Sequence, residues 1–375
     1  MDYVQERVTT LHDLSAATAG TAATVPTDRT AVVVPMTERE YAGLAAERVL
    51  SQLERVDPAS VVVPLHAAAE RVEDFLTWLS GFDLSLSVLW CDAPALDETL
   101  AGHGLADQRG KGRDVWLGLG QVLDADYVVV HDADTKTYSA EYVHRLLFPL
   151  AHDHEFVKGY YARVENDRLY GRLFRLFYRP LVRTLDEAHD HPLVDYLGAF
   201  RYALAGEFAA TSDVVRRLRV QPSWGLEVGT LADAFDVAGF EGSAQVDLGA
   251  YEHDHRAVGG PTGLTDMSAG VGEALFRALA DHGVEPDFET LPGRYREHAA
   301  ALVRQYATDA AFNGLRFDRE SELDQVDRYA AAVSPPGDDA RLPAWADAPL
   351  SPETVRDVAV VDSPGDVDAA GGERA

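Results

Sequence analysis

Apolar runs alternate with helical stretches through the first third of the chain. The first run, Thr30–Pro35, ends in proline, and a helical stretch extends from Glu38 to about Leu53. Short runs at Ser60–Pro64 and Leu86–Trp90 flank a helix around Ala68–Leu79, and the pattern recurs as helix Lys111–Leu123 and strand Asp126–His131. Strands separated by helices predict an α/β fold with a largely parallel, doubly wound sheet. Later segments read as strand Ala244–Leu248 and helices near Val271–His282 and Arg294–Ala310. Residues 1–28, rich in Ala and Thr, read as a peripheral helix or strap. The segment 335–375, with prolines, glycines and aspartates and few large apolar residues, reads as an acidic, disordered tail.

Ligands of such sheets bind outside the carboxyl ends of the strands. The last predicted strand of the first half runs directly into Asp132-Ala133-Asp134. Residues 29–135 therefore read as a nucleotide-binding half, and 136–334, richer in aromatics and Arg from Ala140 to about Arg219, as the half that holds a second substrate, followed by C-terminal helices.

Composition sharpens this picture. The 375 residues are 46% apolar, enough for a substantial core, and carry 62 acidic against 33 basic residues, a net charge of −29. So acidic a chain is not a general nucleic-acid binder. Only Lys111, Lys136 and Lys158 are lysines, and all three fall in the segment bracketing the paired aspartates. Abundant Asp, Glu and Arg with almost no Lys points to a salt-adapted protein, because strong screening relieves the self-repulsion of an acidic surface. Cys91 is the single cysteine, so neither a disulfide framework nor a thiolate metal cluster is expected. No stretch approaches the length needed to span a bilayer, and no basic-then-apolar leader pattern opens the sequence, so a cytoplasmic location is expected.

Two carboxylates flanking one small residue at a strand end can hold a divalent cation, which neutralises a diphosphate. In so acidic a chain an isolated Asp-x-Asp is more readily a surface turn, and the setting changes that balance. Gly110-Lys111-Gly112 lies upstream at a predicted helix start, where backbone N–H groups and an ammonium can meet phosphate. Trp224-Gly225-Leu226-Glu227-Val228-Gly229 places a carboxylate between glycines, with a buried helix start as the alternative. Glu252-His253-Asp254-His255 follows the strand Ala244–Leu248 and offers imidazole for a metal, although thirteen histidines populate the chain.

In this order and spacing the motifs resemble the glucosyl-3-phosphoglycerate synthases and the related retaining GT-A glycosyltransferases that make mannosylglycerate. The resemblance covers roughly residues 108–256. It includes Gly110-Lys111-Gly112 with Trp116, Asp132-Ala133-Asp134, Phe156-Val157-Lys158-Gly159-Tyr160-Tyr161 and Gly171-Arg172 before Arg179-Pro180-Leu181. Leu204-Ala205-Gly206-Glu207-Phe208, Trp224-Gly225-Leu226-Glu227 and Val246-Asp247-Leu248-Gly249 with His253 complete it.

The resemblance implies a GT-A type, Rossmann-like sheet and a donor that is a nucleotide diphosphate sugar, UDP-glucose above all. It places Asp134 and His253, with Asp132, on a Mg2+ or Mn2+ ion. Pro35, Glu38, Lys111, Asp132, Ala133 and Asp134 would hold the donor, and Glu227 would lie beside its sugar. The main-chain carbonyl of Leu204 would face the acceptor hydroxyl, while Gly171, Arg172, Lys158 and His255 would bind 3-phosphoglycerate or a similar small acidic acceptor. The expected partners are small molecules, with no nucleic acid and no membrane span, and the resemblance leaves room for a homodimer.

Three features depart from the family pattern. Leu173-Phe174 replaces a short hydroxyl residue after Gly171-Arg172. Pro35-Met36-Thr37-Glu38-Arg39-Glu40 only approximates a proline followed by Asn-Glu-Glu, and Pro64-Leu65-His66 stands in place of Asp-Ser-Gly-Ser. Transfer to a lipid or glycan, and an inactive nucleotide-sugar-binding protein, are the alternative readings. The acidic composition itself makes a prediction: the fold is lost in dilute buffer and retained at molar salt, which melting curves over a salt series will show, and a melting temperature undiminished at low salt would refute it.

Overall fold

The computed structural model describes residues 6–12, 25–105, 109–254, 261–363, 367 and 370. Its strands, in chain order, are β1 (Thr9–Leu11), β2 (Thr30–Val33), β3 (Met36–Thr37), β4 (Ser60–His66), β5 (Leu86–Trp90), β6 (Tyr127–Val130), β7 (Phe156–Ala162), β8 (Val164–Glu165), β9 (Arg168–Leu169), β10 (Phe208–Thr211), β11 (Ser243–Ala250) and β12 (Val360–Val361). One ten-stranded sheet runs β1-β11-β7-β10-β6-β2-β4-β5-β12, with β3 paired to β4, while β8 and β9 form a separate hairpin. Neighbours in the large sheet are parallel except β10, which is antiparallel to β6 and β7, and β12, antiparallel to β5. The mostly parallel α/β sheet predicted from alternation is present. Its central strands are valine-rich and buried along their length, as strands covered by helices on both faces must be.

Amphipathic helices supply that cover. Leu44–Val56 buries Ala45, Ala46, Val49, Leu50, Leu53 and Val56, a helical period, and stops at Asp57, which takes the left-handed conformation with φ 52°. This helix starts six residues later than the sequence pattern suggests. Glu40 accepts from the Thr37 N–H at 2.6 Å in a capping box that closes Glu38–Glu40 as an isolated 3-10 turn. Ala42, at φ 47°, then breaks the path before the helix begins. The two later predicted helices are longer than their patterns, Pro261–Asp281 and Leu291–Phe312, and a further helix, Arg319–Tyr329, follows them.

The C-terminal segment is not the solvated tail its composition suggests, at least as far as Ser363. Trp345 stacks on Trp116 at 4.1 Å between centroids and 10° between planes. Each indole donates into the other's segment: Trp345 Nε1 to the Trp116 carbonyl and Trp116 Nε1 to the Pro343 carbonyl, both at 2.8 Å. Helix Pro352–Ala359 then leads into β12, whose Val360 and Val361 pair with Leu89 and Val88 of β5 and close that sheet edge. The apolar residues here are few, but Leu342, Trp345, Leu350, Val355, Ala359 and Val361 are all buried, and average composition concealed that economy. The N-terminal segment likewise contributes a strand, β1, to the opposite edge, whereas residues 13–24 lie outside the described set.

Among the described residues, no helix is long and apolar enough to cross a membrane. Replacing Trp345 with Ala removes the stacked ring and its hydrogen bond to the Trp116 carbonyl. Denaturant unfolding of Trp345→Ala in high salt is expected to show a loss of about 3–5 kcal/mol, the range for deleting a buried large aromatic.

Candidate active site

The site is assembled where β6 and β11 end. After Val130 the chain continues as His131, whose N–H still bonds the Val33 carbonyl at 3.1 Å, and then turns outward as Asp132-Ala133-Asp134. The loop after β11 zips onto this turn. Thr135 and His253 form an antiparallel bridge, the Asp254 N–H donates to the Asp134 carbonyl at 2.7 Å, and the Lys136 N–H donates to the Glu252 carbonyl at 2.8 Å. These bonds bring His253 Nδ1 to 3.1 Å from Asp134 Oδ1, across 119 positions of sequence.

Asp132, Asp134 and His253 each offer one ligand atom, all within 4.8 Å of one another. Two carboxylate oxygens and one imidazole nitrogen are a donor set that fits Mn2+ or Mg2+, with coordination left for substrate oxygens. Burial works to raise the Asp134 pKa, but the His253 imidazole and the Lys111 ammonium outweigh it and hold the carboxyl below its usual range.

Glycines set the walls. A Cβ at Gly206 would lie 2.7 Å from Asp132 Oδ2, so the turn entering β10 must be bare for the aspartate to sit there. At Gly112 a Cβ would fall 1.7 Å from the Gln221 carbonyl oxygen. The Gly110-Lys111-Gly112 turn therefore packs backbone to backbone against Gln221–Ser223, immediately before Trp224-Gly225-Leu226-Glu227. That contact places Lys111, at the start of helix Lys111–Gly120, beside Glu227, at the start of helix Leu226–Val237. The Lys111 ammonium donates to Asp132 Oδ1. Burial acts to lower its pKa, yet Asp132 and Glu227 prevail and hold it above the ordinary lysine range, so it stays charged.

Beneath this rim lie two groups of opposite sign. Lys158, in β7, is 1% exposed, its ammonium has no hydrogen-bond partner, and it lies 5.8 Å from the Phe208 ring centroid. Burial pushes its pKa down to about 8, against the pull of Glu227, Glu207 and Asp132. Glu207, at the entrance to β10, is also 1% exposed; one oxygen accepts from the Tyr251 hydroxyl and the other has no partner. Burial, reinforced by Asp132, pushes its pKa up to about 7. The sequence motif contained Glu207 without giving it a role; the available signal was a carboxylate directly preceding an apolar strand.

Other expected site residues lie further out. Pro35 and Glu38 stand at the end of β2, beside the end of β4, where Glu38 accepts from the Ala68 N–H at 2.7 Å. Ala133 is buried between the two aspartates, and Leu204 lies in the turn that leads through Gly206 into β10. From His253 a line of rings, Tyr251, Tyr161, Tyr202 and Phe174, with centroid separations of 4.7, 3.8, 4.9 and 4.8 Å, leads to the Gly171-Arg172 turn. Leu173 and Phe174 are buried in that wall rather than presented to solvent. Arg172 binds helix Arg319–Tyr329, donating from Nε to Glu322 at 2.8 Å and from Nη2 to Ser321 at 3.3 Å. Lys158 is buried in β7, where Glu227, Glu207 and Asp132 act on its charge. His255 falls outside the described residues.

No profile of a known protein family matches the chain. Among curated proteins, the glucosyl-3-phosphoglycerate synthase of Methanococcoides burtonii is 34% identical over 379 aligned positions, spanning 92% of this chain and 93% of that protein. The Persephonella marina protein of the same name is 34% identical over 80% of this chain and 79% of its own. Among solved structures, Mycobacterium tuberculosis glucosyl-3-phosphoglycerate synthase in complex with Mn2+, UDP and glucosyl-3-phosphoglycerate matches with a TM-score of 0.52 and 22% identity, over 75% of this chain and 89% of that one. Mannosyl-3-phosphoglycerate synthase from Rubrobacter xylanophilus matches with a TM-score of 0.53 and 22% identity, over 69% and 76%. At these identities the structures speak for the fold.

A parallel sheet ending in this acidic turn, with relatives so named, makes the chain a glycosyltransferase. It belongs to the glucosyl-3-phosphoglycerate synthase family, on the strength of full-length similarity to the M. burtonii protein.

The buried Glu207 generates a pH prediction. Its folded pKa of about 7 lies above the ordinary 4.5, so its neutral form is favoured by the fold. The stability this confers is complete below the ordinary value and is lost as pH rises through the folded one. Glu207→Gln keeps an acceptor for Tyr251 without the charge. In metal-free denaturation at high salt, the variant is expected to match wild type near about pH 4 and to exceed it near about pH 8; a constant difference across that range would refute the assignment.

Proposed function

We propose that the chain transfers glucose from UDP-glucose to 3-phosphoglycerate or a similar small acidic acceptor, with retention at the anomeric carbon and with Mn2+ or Mg2+ as cofactor. The observation that carries this reading is the convergence of Asp132, Asp134 and His253 on one point beside the Lys111 ammonium. The names of the relatives, and the Mn2+, UDP-glucose and phosphoglycerate in a crystal complex of the M. tuberculosis enzyme, support it.

The barrier to the transfer is the charge that develops on the departing diphosphate. Asp132, Asp134 and His253 would hold the divalent ion, which supplies a fixed positive charge where that negative charge grows. Lys111, kept protonated by its neighbours, exchanges its contact with Asp132 for the diphosphate. Lys158 adds a second positive charge from below without leaving the core. The backbone at Ala133 holds the diphosphate sugar, and Pro35 and Glu38 line the edge where the base lies.

Glu227, at its helix start, stands beside the donor sugar. Because the leaving diphosphate itself takes up the acceptor's proton on the same face, no protein nucleophile is needed. The Leu204 carbonyl orients the acceptor hydroxyl, and Gly171 and Arg172, with His255, hold its anionic end, a task suited to a forked guanidinium. In this reading residues 29–135 hold the donor, 136–334 the acceptor, and the acidic surface serves a salt-rich cytoplasm.

The decisive assay uses UDP-glucose, 3-phosphoglycerate and Mn2+ at high salt. Asp134→Ala is expected to lower kcat by about a hundredfold or more, the scale for removing a group that acts on developing charge. Equal turnover by that variant would sink the proposal.

A further inference from the structure

The acceptor turn carries two arginines, and the structure has already spent most of their charge. Arg175 is 4% exposed and committed on every side. Its Nε donates to the Tyr170 carbonyl at 3.1 Å, its Nη2 to the Leu169 carbonyl at 3.2 Å and its Nη1 to Glu322 Oε2 at 3.0 Å, while Tyr306 covers its face at 4.8 Å. Arg172 donates Nε to the other oxygen of the same carboxylate at 2.8 Å and Nη2 to Ser321. One buried glutamate thus bridges both guanidinium groups. The Arg172 side chain remains 37% exposed, against 5% for that of Glu322.

A phosphate gripped by arginine is normally met by two parallel N–H bonds from one edge of the fork. Here the Nε edge of Arg172 is occupied, so an incoming anion meets the remaining Nη1 end. Field counts as well as geometry: a carboxylate this close, in surroundings that screen poorly, cancels one of the two positive charges seen by a second anion. Helix Arg319–Tyr329 holds Glu322 in place, with Asp318 capping it by accepting from the Ser321 N–H at 3.0 Å.

We propose that Glu322 is a specificity-determining residue that acts through Arg172, lowering the preference for a phosphorylated acceptor and admitting unphosphorylated glycerate as a substrate. This rests on the acceptor role given to Arg172 above. The effect is a partial one, since a net positive charge is left on the turn, and it bears on acceptor KM rather than on the chemistry at the donor.

The test compares kcat/KM for 3-phosphoglycerate and for glycerate, with UDP-glucose and Mn2+ at high salt. Wild type is expected to favour the phosphorylated acceptor by less than about tenfold, where an unencumbered bidentate arginine supports a hundredfold or more. Glu322→Gln keeps the shape and removes the charge. It is expected to lower KM for 3-phosphoglycerate about tenfold while leaving kcat, and KM for glycerate, within about twofold.

A purely structural Glu322 predicts the opposite sign, since loosening Arg172 raises KM for the phosphorylated acceptor. That result, or an unchanged ratio, overturns the inference and leaves the glycosyltransferase reading intact. Turnover of neither acceptor by wild type overturns that reading and this inference with it. Should Glu322→Gln fail to fold, the wild-type ratio still decides: a preference below about tenfold upholds the inference, and anything higher overturns it.

Discussion

Four carboxylates crowd the ends of β6 and β10, and their mutual repulsion is the constraint that the rest of the site answers. Asp132, Asp134, Glu207 and Glu227 converge in a protein whose surface is already strongly negative. The fold opposes them with Lys111 on the rim, Lys158 underneath and His253 from the far loop, and lets Glu207 rise toward neutrality. The unbonded Lys158 ammonium and the unbonded Glu207 oxygen mark this balance as electrostatic rather than hydrogen-bonded. A site held in such tension is ready for an added positive charge, because a cation there relieves repulsion that the fold already bears.

Backbone register makes the convergence possible. The antiparallel insertion of β10 between β6 and β7 places Glu207 beside the strand end that leads to Asp132. The parallel pairing of β11 with β7 delivers the following loop to the same edge, where Thr135 and His253 bridge. Neither depends on side-chain recognition. The aspartate turn and the His253 loop therefore continue directly from strands of the sheet, while residues 106–108 and 255–260 lie outside the described set.

Much of this was legible in the sequence because it depends on local signals. The valine runs of β2 and β6 marked the sheet, and the paired aspartates directly after one of them marked the edge where Asp132, Asp134 and His253 meet. Gly110 and Gly112 were read as phosphate-facing, whereas Gly112 is required by close packing on Gln221, a contact invisible without the fold. Helix Arg319–Tyr329 escaped notice because it buries Glu322 and Gln325 alongside Val326 and Tyr329, so it lacks an apolar period. The C-terminal segment was misread for a related reason: two tryptophans that stack over a sequence separation of 229 cannot be paired from composition. Legibility failed where a residue's place depends on a partner distant in sequence.

The scarcity of lysine becomes intelligible in this light. Arginine offers a planar, weakly hydrated fork, and this chain uses it for structural pairing, as in Arg219 with Asp233 and Asp281. Lysine is a compact point charge on a flexible stem, suited to following charge that moves during a reaction. The three lysines sit at or beside the aspartate turn: Lys111 on Asp132, Lys158 below it, and Lys136 paired with Asp254 at 3.4 Å. The remaining basic residues of this kind are arginines, so the ammonium groups are concentrated at the aspartate turn. The Gly171-Arg172 turn shows the contrasting use: Arg172 and Arg175 are held in fixed geometry on the two oxygens of one buried glutamate, Glu322.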